Sequence, residues 1–299
     1  LRKRILYVIC GPTATGKTAL AIQLAQRLST SVVSADSRQC YKEMSIGTAK
    51  PDDKELKQVR HYFIDEFAPT TNITAAEYEK LALGYLDAIF RTQDFAIVCG
   101  GTGLYIKALC EGLDDMPEVD AKINEEVIKA YEENGLNWLS NALKTEDPQF
   151  AEKGEMQNPA RMLRALVFVR SNNESIINFH SGTKKQRNFS IIKIGLDLPR
   201  AMLYNRINTR VDKMMENGLL DEVKKLKHLQ GIKNLQTVGY SELFDFLDGK
   251  CSLDEAVNKI KQNTRNYAKR QLTWFRKDPD IHWFAADEDK LAEKILAIK

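Results

Sequence analysis

Eight residues near the start of the chain, Gly11-Pro12-Thr13-Ala14-Thr15-Gly16-Lys17-Thr18, read G-x-x-x-x-G-K-T, the pattern of a phosphate-binding loop. Before them runs Ile5-Leu6-Tyr7-Val8-Ile9-Cys10, apolar and rich in strand formers; after them Ala19 to Leu28 carries apolar residues at helical spacing. Buried strand, glycine loop and amphipathic helix form the context in which the pattern means a site rather than a chance turn. That context predicts an α/β fold: a P-loop-type parallel sheet flanked by helices. Backbone N–H groups of residues 11–18 face an anion, Lys17 adds a point charge, and the Thr18 hydroxyl can hold Mg2+.

Other segments read as further strands of such a sheet. Ser31 to Asp36 is a short strand ending in a carboxylate, and strand C-termini beside a phosphate loop line the ligand crevice of open α/β sheets. Asp36 is open to three roles: catalytic base (by analogy with nucleoside kinases), Mg2+ partner, or helix cap. Tyr41 to Pro51 reads as a loop in which Lys50 could reach phosphate. His61 to Asp65 is another strand, with Asp65 either a second metal-side acid or a turn residue. Thr74 to Phe90 is an amphipathic helix with Asn72 or Thr74 as its cap. Phe95 to Cys99 is a core strand followed by Gly100-Gly101-Thr102-Gly103, where an ATPase would often place a Walker-B Asp; the glycines allow close approach to a ligand and Thr102 offers a hydroxyl.

Past Gly112 the pattern becomes helical. Val119–Glu133 and Leu136–Leu143 are divided by a turn at Asn134-Gly135, and a third helix, Asn158 to Val169, opens on Asn158 as cap and Pro159 at its first position. A polar loop spans Ser171 to Asn188. The sheet resumes at Ser190–Leu196. A helix from about Arg200 to Gly218 carries Arg206 and Arg210 four apart, either a phosphate clamp or a surface pair. Leu219–Gln230 and Leu253–Trp274 are helices, the latter with Ile260, Thr264, Tyr267, Gln271 and Trp274 on a core-facing side. A short strand, Ile281–Phe284, and a helix, Asp287–Ile298, close the chain. The division is a core of residues 1–112 and 190–299 and a helical insertion of 113–189.

Composition restricts function by distribution more than by total. The formal net charge is only +3, but residues 111–155 hold thirteen acidic and four basic residues, whereas 156–190 hold six basic and one acidic, and 259–277 hold seven basic and none acidic. Polyanion contacts belong to the last two stretches. Five scattered cysteines without C-x-x-C, and four dispersed histidines, argue against a zinc site or a disulfide framework. No apolar run reaches the length of a membrane span. Leu1-Arg2-Lys3-Arg4 before an apolar run mimics a signal peptide, but the run is too short and ends in the phosphate loop, so the chain reads as cytoplasmic.

Taken together these residues resemble the tRNA dimethylallyltransferase (tRNA isopentenyltransferase) family nearly end to end. The resemblance rests on Gly11–Thr18; Asp36-Ser37-Arg38-Gln39 with Tyr41, Met44 and Ile46 to Pro51; Gly100–Tyr105; Arg161-x-x-Arg164-Ala165-Leu166; Arg206-x-x-x-Arg210; Thr237–Tyr240; and Asn263–Trp274. Family members often carry Gln where this chain has Ala160 and Glu where it has Val167, which bears on RNA contacts of the insertion. The resemblance implies dimethylallyl diphosphate and the tRNA anticodon stem-loop as substrates, with Mg2+ required. Diphosphate would lie on Gly11, Pro12, Thr13, Ala14, Thr15, Gly16, Lys17 and Thr18, with Thr18 on the metal. Asp36, Thr102, Arg206 and Arg210 would be catalytic. Asp36 to Gln39, Thr102, Arg161, Arg164, Arg265 and Lys269 would touch tRNA, and the basic stretches Arg161–Arg187 and Lys259–Lys277 would grip the anticodon stem and loop.

The chemistry implied is alkylation of the N6 amine of the adenosine 3′-adjacent to the anticodon. That amine is a poor nucleophile and needs a proton acceptor, for which Asp36 is the candidate; the base must leave its stack to react. Three rivals remain at this point: a small-molecule kinase, an adenylate isopentenyltransferase acting on free nucleotide, and a non-catalytic RNA-binding module. The chain reads as a monomer because no oligomerisation stripe is visible.

Overall fold

A computed structural model describes residues 3–298; Leu1 and Arg2 of the N-terminal basic stretch, and Lys299, lie outside the described residues. The chain divides into two compact units, Leu1–Glu111 with Gln186–Lys299, and Gly112–Lys185.

The larger unit is built on six parallel strands: β1 (Ile5–Cys10), β2 (Val32–Ser34), β3 (His61–Tyr62), β4 (Phe95–Cys99), β5 (Ser190–Asp197) and β6 (Ile281–Ala285), in the order β3-β2-β4-β1-β5-β6. β1 is central, paired with β4 from Ile5↔Phe95 to Ile9↔Cys99 and with β5 from Ile5↔Ser190 to Cys10↔Gly195. The side-chain period of two sorts β1 between the sheet's faces. Leu6, Val8 and Cys10 enter one core with Val33, Ala96 and Val98, while Tyr7 and Ile9 enter the other with Ile97 and Ile194.

Helices cover both faces. α1 (Lys17–Leu28) buries Leu20, Ala21, Leu24 and Ala25 on the Tyr7 side, where α12 (Leu291–Leu296) adds Ala292 and Ile295. α3 (Ala75–Phe90) starts on a capping box in which Thr74 and Glu77 satisfy each other's backbone N–H groups, and it buries Tyr78, Ala82, Leu86 and Ile89 on the Leu6 side. α4 (Gly103–Glu111), α9 (Leu219–Lys225), α10 (Tyr240–Leu247) and α11 (Leu253–Phe275) join that core; α8 (Arg200–Glu216) contributes Val211 to it and Leu203 and Ile207 to a small cluster with Ala14 and Ala268. α2 (Asp53–Gln58) is a short surface helix on its own capping box. The terminal helix is shorter than its sequence pattern suggests, because residues 287–290 form turns and Lys290 takes φ 55°.

The smaller unit holds α5 (Ala121–Glu146), α6 (Pro148–Lys153) and α7 (Pro159–Asn172). α5 is two helices joined at Gly135, whose φ of 73° and ψ of −169° break the helical path where Asn134-Gly135 marks a turn. Asn158 caps α7 by accepting from the Arg161 N–H, and Pro159 occupies its first position. The core is Val127, Leu139, Leu143, Phe150, Met162, Leu166, Val167 and Phe168. Val167 is 4% exposed and its place is in this apolar core. Among the described residues no helix is long and apolar enough to cross a membrane, and all five cysteines are free.

Candidate active site

The C-terminal ends of β1, β2 and β4 open into one cleft of about 460 Å³ in the larger unit, at the position where open α/β sheets hold ligands. The phosphate loop forms its floor. Gly16 takes φ 88° and starts α1 with no side-chain cap and no acid in the first turn, so the leading N–H groups and the positive end of the helix dipole are left for an anion. Thr15 Oγ1 and Lys17 Nζ both donate to the Pro12 carbonyl, at 2.9 and 2.6 Å. Burial lowers the Lys17 pKa to about 8; neighbouring Arg210 adds to this, while Cys99 and Asp36 oppose it. A half-buried ammonium beside a guanidinium gains from the arrival of a polyanion. Thr18 lines the same cleft.

Asp36 leaves β2 into the cleft. Its Oδ1 accepts the N–H groups of Arg38 (2.9 Å) and Gln39 (3.3 Å), a turn that fixes the carboxylate and leaves Oδ2 uncommitted. Burial pushes the Asp36 pKa up, against the pull of those two N–H groups and of Lys17. Burial likewise holds the thiol of Cys99, at the end of β4, up at about 12.

Arg210 and Arg206 part company. Arg210 lines the cleft and donates to Thr13 Oγ1 at 3.1 Å, with burial lowering its pKa. Arg206, one turn earlier on α8, is exposed and forms no part of the cleft wall. Thr102 also stands behind the wall rather than in it: its Oγ1 accepts the Ser37 N–H at 3.0 Å, and its own N–H donates to the Ala35 carbonyl at 3.1 Å. It therefore braces the turn that presents Asp36.

Gly100 and Gly101 line the cleft, and the glycines after β4 also let neighbouring protein pack close. A Cβ at Gly100 would lie 2.2 Å from the Ala35 carbonyl oxygen, at Gly101 2.2 Å from Gln271 Nε2, and at Gly103 2.2 Å from the Trp274 ring. Trp274 is 40% exposed and lies against Gly103, contrary to the core-facing position its spacing suggests. Gln271 is 6% exposed; its Oε1 accepts the Thr13 N–H and its Nε2 donates to the Gly101 carbonyl, both at 2.9 Å. With Ile260, Thr264 and Tyr267 it lines the cleft, so this face of α11 is a site wall as well as a core face.

A model of the IPP transferase family matches residues 39–278. The chain belongs to that family. It is 46% identical over 284 residues to the tRNA dimethylallyltransferase of Christiangramia forsetii, covering 95% of this chain and 94% of that one. The solved tRNA isopentenylpyrophosphate transferase of Bacillus halodurans is 37% identical, with a TM-score of 0.70 over 98% of this chain and 94% of that one. A solved eukaryotic dimethylallyltransferase acting on tRNA is 26% identical, with a TM-score of 0.83 over 99% of this chain and 78% of that one.

In this family member several basic residues are held by the protein itself. Lys50, 3% exposed, donates to the Tyr41 carbonyl at 2.8 Å and pairs with Asp65; both side chains are latches of the 41–51 loop and lie outside the cleft wall. Arg187, 10% exposed, donates to the Leu109 and Ala108 carbonyls and to Glu79 (2.8, 2.8 and 2.6 Å), which removes it from any RNA-gripping stretch. Arg170 forms a bidentate pair with Glu146, and Arg161, although exposed, pairs with Glu155. The acidic 111–155 stretch thus partly neutralises the basic one that follows it. Arg164 and Lys269 are exposed. Arg265 donates to Asn208 Oδ1 at 2.7 Å and lies over the Tyr204 ring. Gln271 was not separable from core residues by spacing; its place in the Asn263–Trp274 motif was the only signal.

Proposed function

We propose that this chain transfers the dimethylallyl group of dimethylallyl diphosphate to the N6 amine of the adenosine 3′-adjacent to the anticodon in tRNA, releasing diphosphate. The observation that carries the reading is that one cleft presents both a cationic anion cradle, Lys17 of the phosphate loop and Arg210 of α8, and a desolvated carboxylate, Asp36. Family membership supports it.

The N6 lone pair attacks the allylic carbon, the C–O bond to diphosphate breaks, and the N6 proton passes to Asp36. Burial makes that carboxylate a stronger base than an exposed one. Charge growing on diphosphate is met by the loop N–H groups, Lys17 and Arg210, fixed in place before the reaction. The exposed Arg206 would reach the substrate from outside the cleft. Among the described residues no group of three His, Cys, Asp or Glu side chains stands ready for a metal. Mg2+ fits nonetheless, since it commonly binds through one or two protein oxygens plus phosphate and water. Thr18 would hold it, and it would neutralise diphosphate charge.

The target base enters the cleft unstacked, with Ser37, Arg38, Gln39 and the Thr102-braced turn at its edge. Arg161 and Arg164 on the insertion (113–189), and Arg265 and Lys269 on α11, supply phosphate contacts. The enzyme acts as a cytoplasmic monomer.

The test offers labelled dimethylallyl diphosphate and Mg2+ to unmodified tRNA and AMP side by side. Label in tRNA alone, mapped by nuclease digestion to that adenosine, is the expected result. Label in AMP alone makes the chain a nucleotide prenyltransferase; label in neither refutes the reading.

A further inference from the structure

Two segments that carry the family resemblance, Ile46-Gly47-Thr48 and Thr237–Tyr240, meet at a side chain belonging to neither. Glu222 of α9 places its carboxylate over three consecutive backbone N–H groups. Its Oε2 accepts from Ser45 (3.0 Å) and Ile46 (2.8 Å), and its Oε1 from Gly47 (3.0 Å). The Tyr240 hydroxyl adds a fourth donor to Oε1 at 2.6 Å. Consecutive N–H groups converging in this way form an anion-binding nest, here filled from within the protein. The fit is close: a Cβ at Gly47 would lie 2.5 Å from the Tyr240 ring, which is fully buried.

The clamped segment is part of the cleft. Gly47, Thr48 and Ala49 line it together with residues of the phosphate loop. The Thr48 and Ala49 carbonyls accept from Gln39 Nε2 at 3.2 and 3.1 Å, and the Gln39 N–H donates to Asp36 Oδ1 at 3.3 Å. A continuous chain of hydrogen bonds therefore runs from Glu222 through the loop and Gln39 to the carboxylate.

We propose that Glu222 is a positioning residue for prenyl transfer: its carboxylate, closed by the Tyr240 hydroxyl, holds the 45–49 wall and, through Gln39, the aim of Asp36. This rests on the proposed function. Glu222 touches neither the phosphate loop nor Lys17 or Arg210, so it governs the geometry of the reacting groups and not the grip on diphosphate.

Glu222→Gln tests this. An amide keeps one accepting oxygen and turns an NH2 toward N–H groups that have lost their acceptor. Misplacement on the scale of 1 Å costs up to about 100-fold in rate. We expect kcat for tRNA prenylation to fall about 10- to 100-fold with the KM for dimethylallyl diphosphate within about threefold of wild type, the pattern of an interaction that matters to the reaction step. Tyr240→Phe, which removes one donor of four, shows the same split in smaller degree and carries the test if Glu222→Gln does not fold. Amide hydrogen exchange at Ser45, Ile46 and Gly47, whose N–H groups Glu222 holds, speeds in both variants. An active wild type with unchanged kcat in both variants overturns the positioning role alone, as does a donor KM that rises in step with any loss. A wild type that prenylates nothing instead defeats the proposed function.

Discussion

Asparagine at position 36 separates the proton acceptor from the scaffold that holds it. Asp36 Oδ1 takes the N–H groups of Arg38 and Gln39 at 2.9 and 3.3 Å, and an asparagine oxygen can take both, so the turn survives. What disappears is the proposed base. General-base catalysis is worth about 100- to 10,000-fold, or roughly 2.7–5.4 kcal/mol of barrier. Stability should move the other way. Burial raises the folded-state pKa above its ordinary 3.8. The stability this group contributes is complete below the unfolded value and lost as pH rises through the folded value. At pH 7 the wild type therefore carries a desolvation cost that Asp36→Asn lacks. The variant should melt at an equal or higher temperature at pH 7, with the difference closing as pH falls toward 4. Affinity for dimethylallyl diphosphate should be equal or better, since a negative charge leaves the cleft. Single-turnover transfer of label to tRNA, donor binding by calorimetry and melting temperature measure the three quantities. Turnover within threefold of wild type refutes the base assignment. Donor affinity falling in parallel with turnover makes Asp36 a ligand of the diphosphate or its metal instead.

Lys17→Met removes one of the two proposed charged partners of the diphosphate. A hydrogen bond to a charged group is worth about 1.5–3 kcal/mol, so the Kd for dimethylallyl diphosphate should rise about 10- to 150-fold by calorimetry. Gly11 sits at φ 132°, where a Cβ would lie 2.5 Å from the Leu196 carbonyl oxygen. Gly11→Ala combines backbone strain of about 1–3 kcal/mol with overpacking of similar size, and should lower Tm by on the order of 10 °C. In the smaller unit, hydrogen bonding to Arg170 holds the Glu146 pKa below its usual 4.5. The pair's contribution is present at neutral pH and lost as pH falls below about 4.5 through the folded value. Both side chains are about one-third exposed, so Glu146→Gln should cost no more than about 1 kcal/mol at pH 7 and nothing at the acid end, as read from urea midpoints at the two pH values.

Much of this was legible in local pattern. β1, the phosphate loop and α1 follow from a contiguous run in which strand period, glycines and helix period succeed one another, and the turn at Gly135 and the caps at Thr74 and Asn158 involve partners within four residues. The roles of charged residues were less legible, because charge attracts partners at any sequence distance. Lys50 and Arg187 look like free cations in the chain, yet Asp65 and Glu79 claim them in the fold.

What the sequence determined by itself was therefore the fold class, the phosphate loop between β1 and α1, and the acid that follows β2, since each is written in side-chain period or in a short motif with its own backbone geometry. The tertiary structure decided which of two equally spaced arginines lines the cleft, that α11 reaches across 258 positions to hold the Thr13 N–H through Gln271, and that Glu222 fills the nest at 45–47. Those outcomes depend on where packed elements bring side chains to within hydrogen-bonding distance. Helical spacing gives Arg206 and Arg210 the same face; only the packing of α8 against the phosphate loop tells them apart.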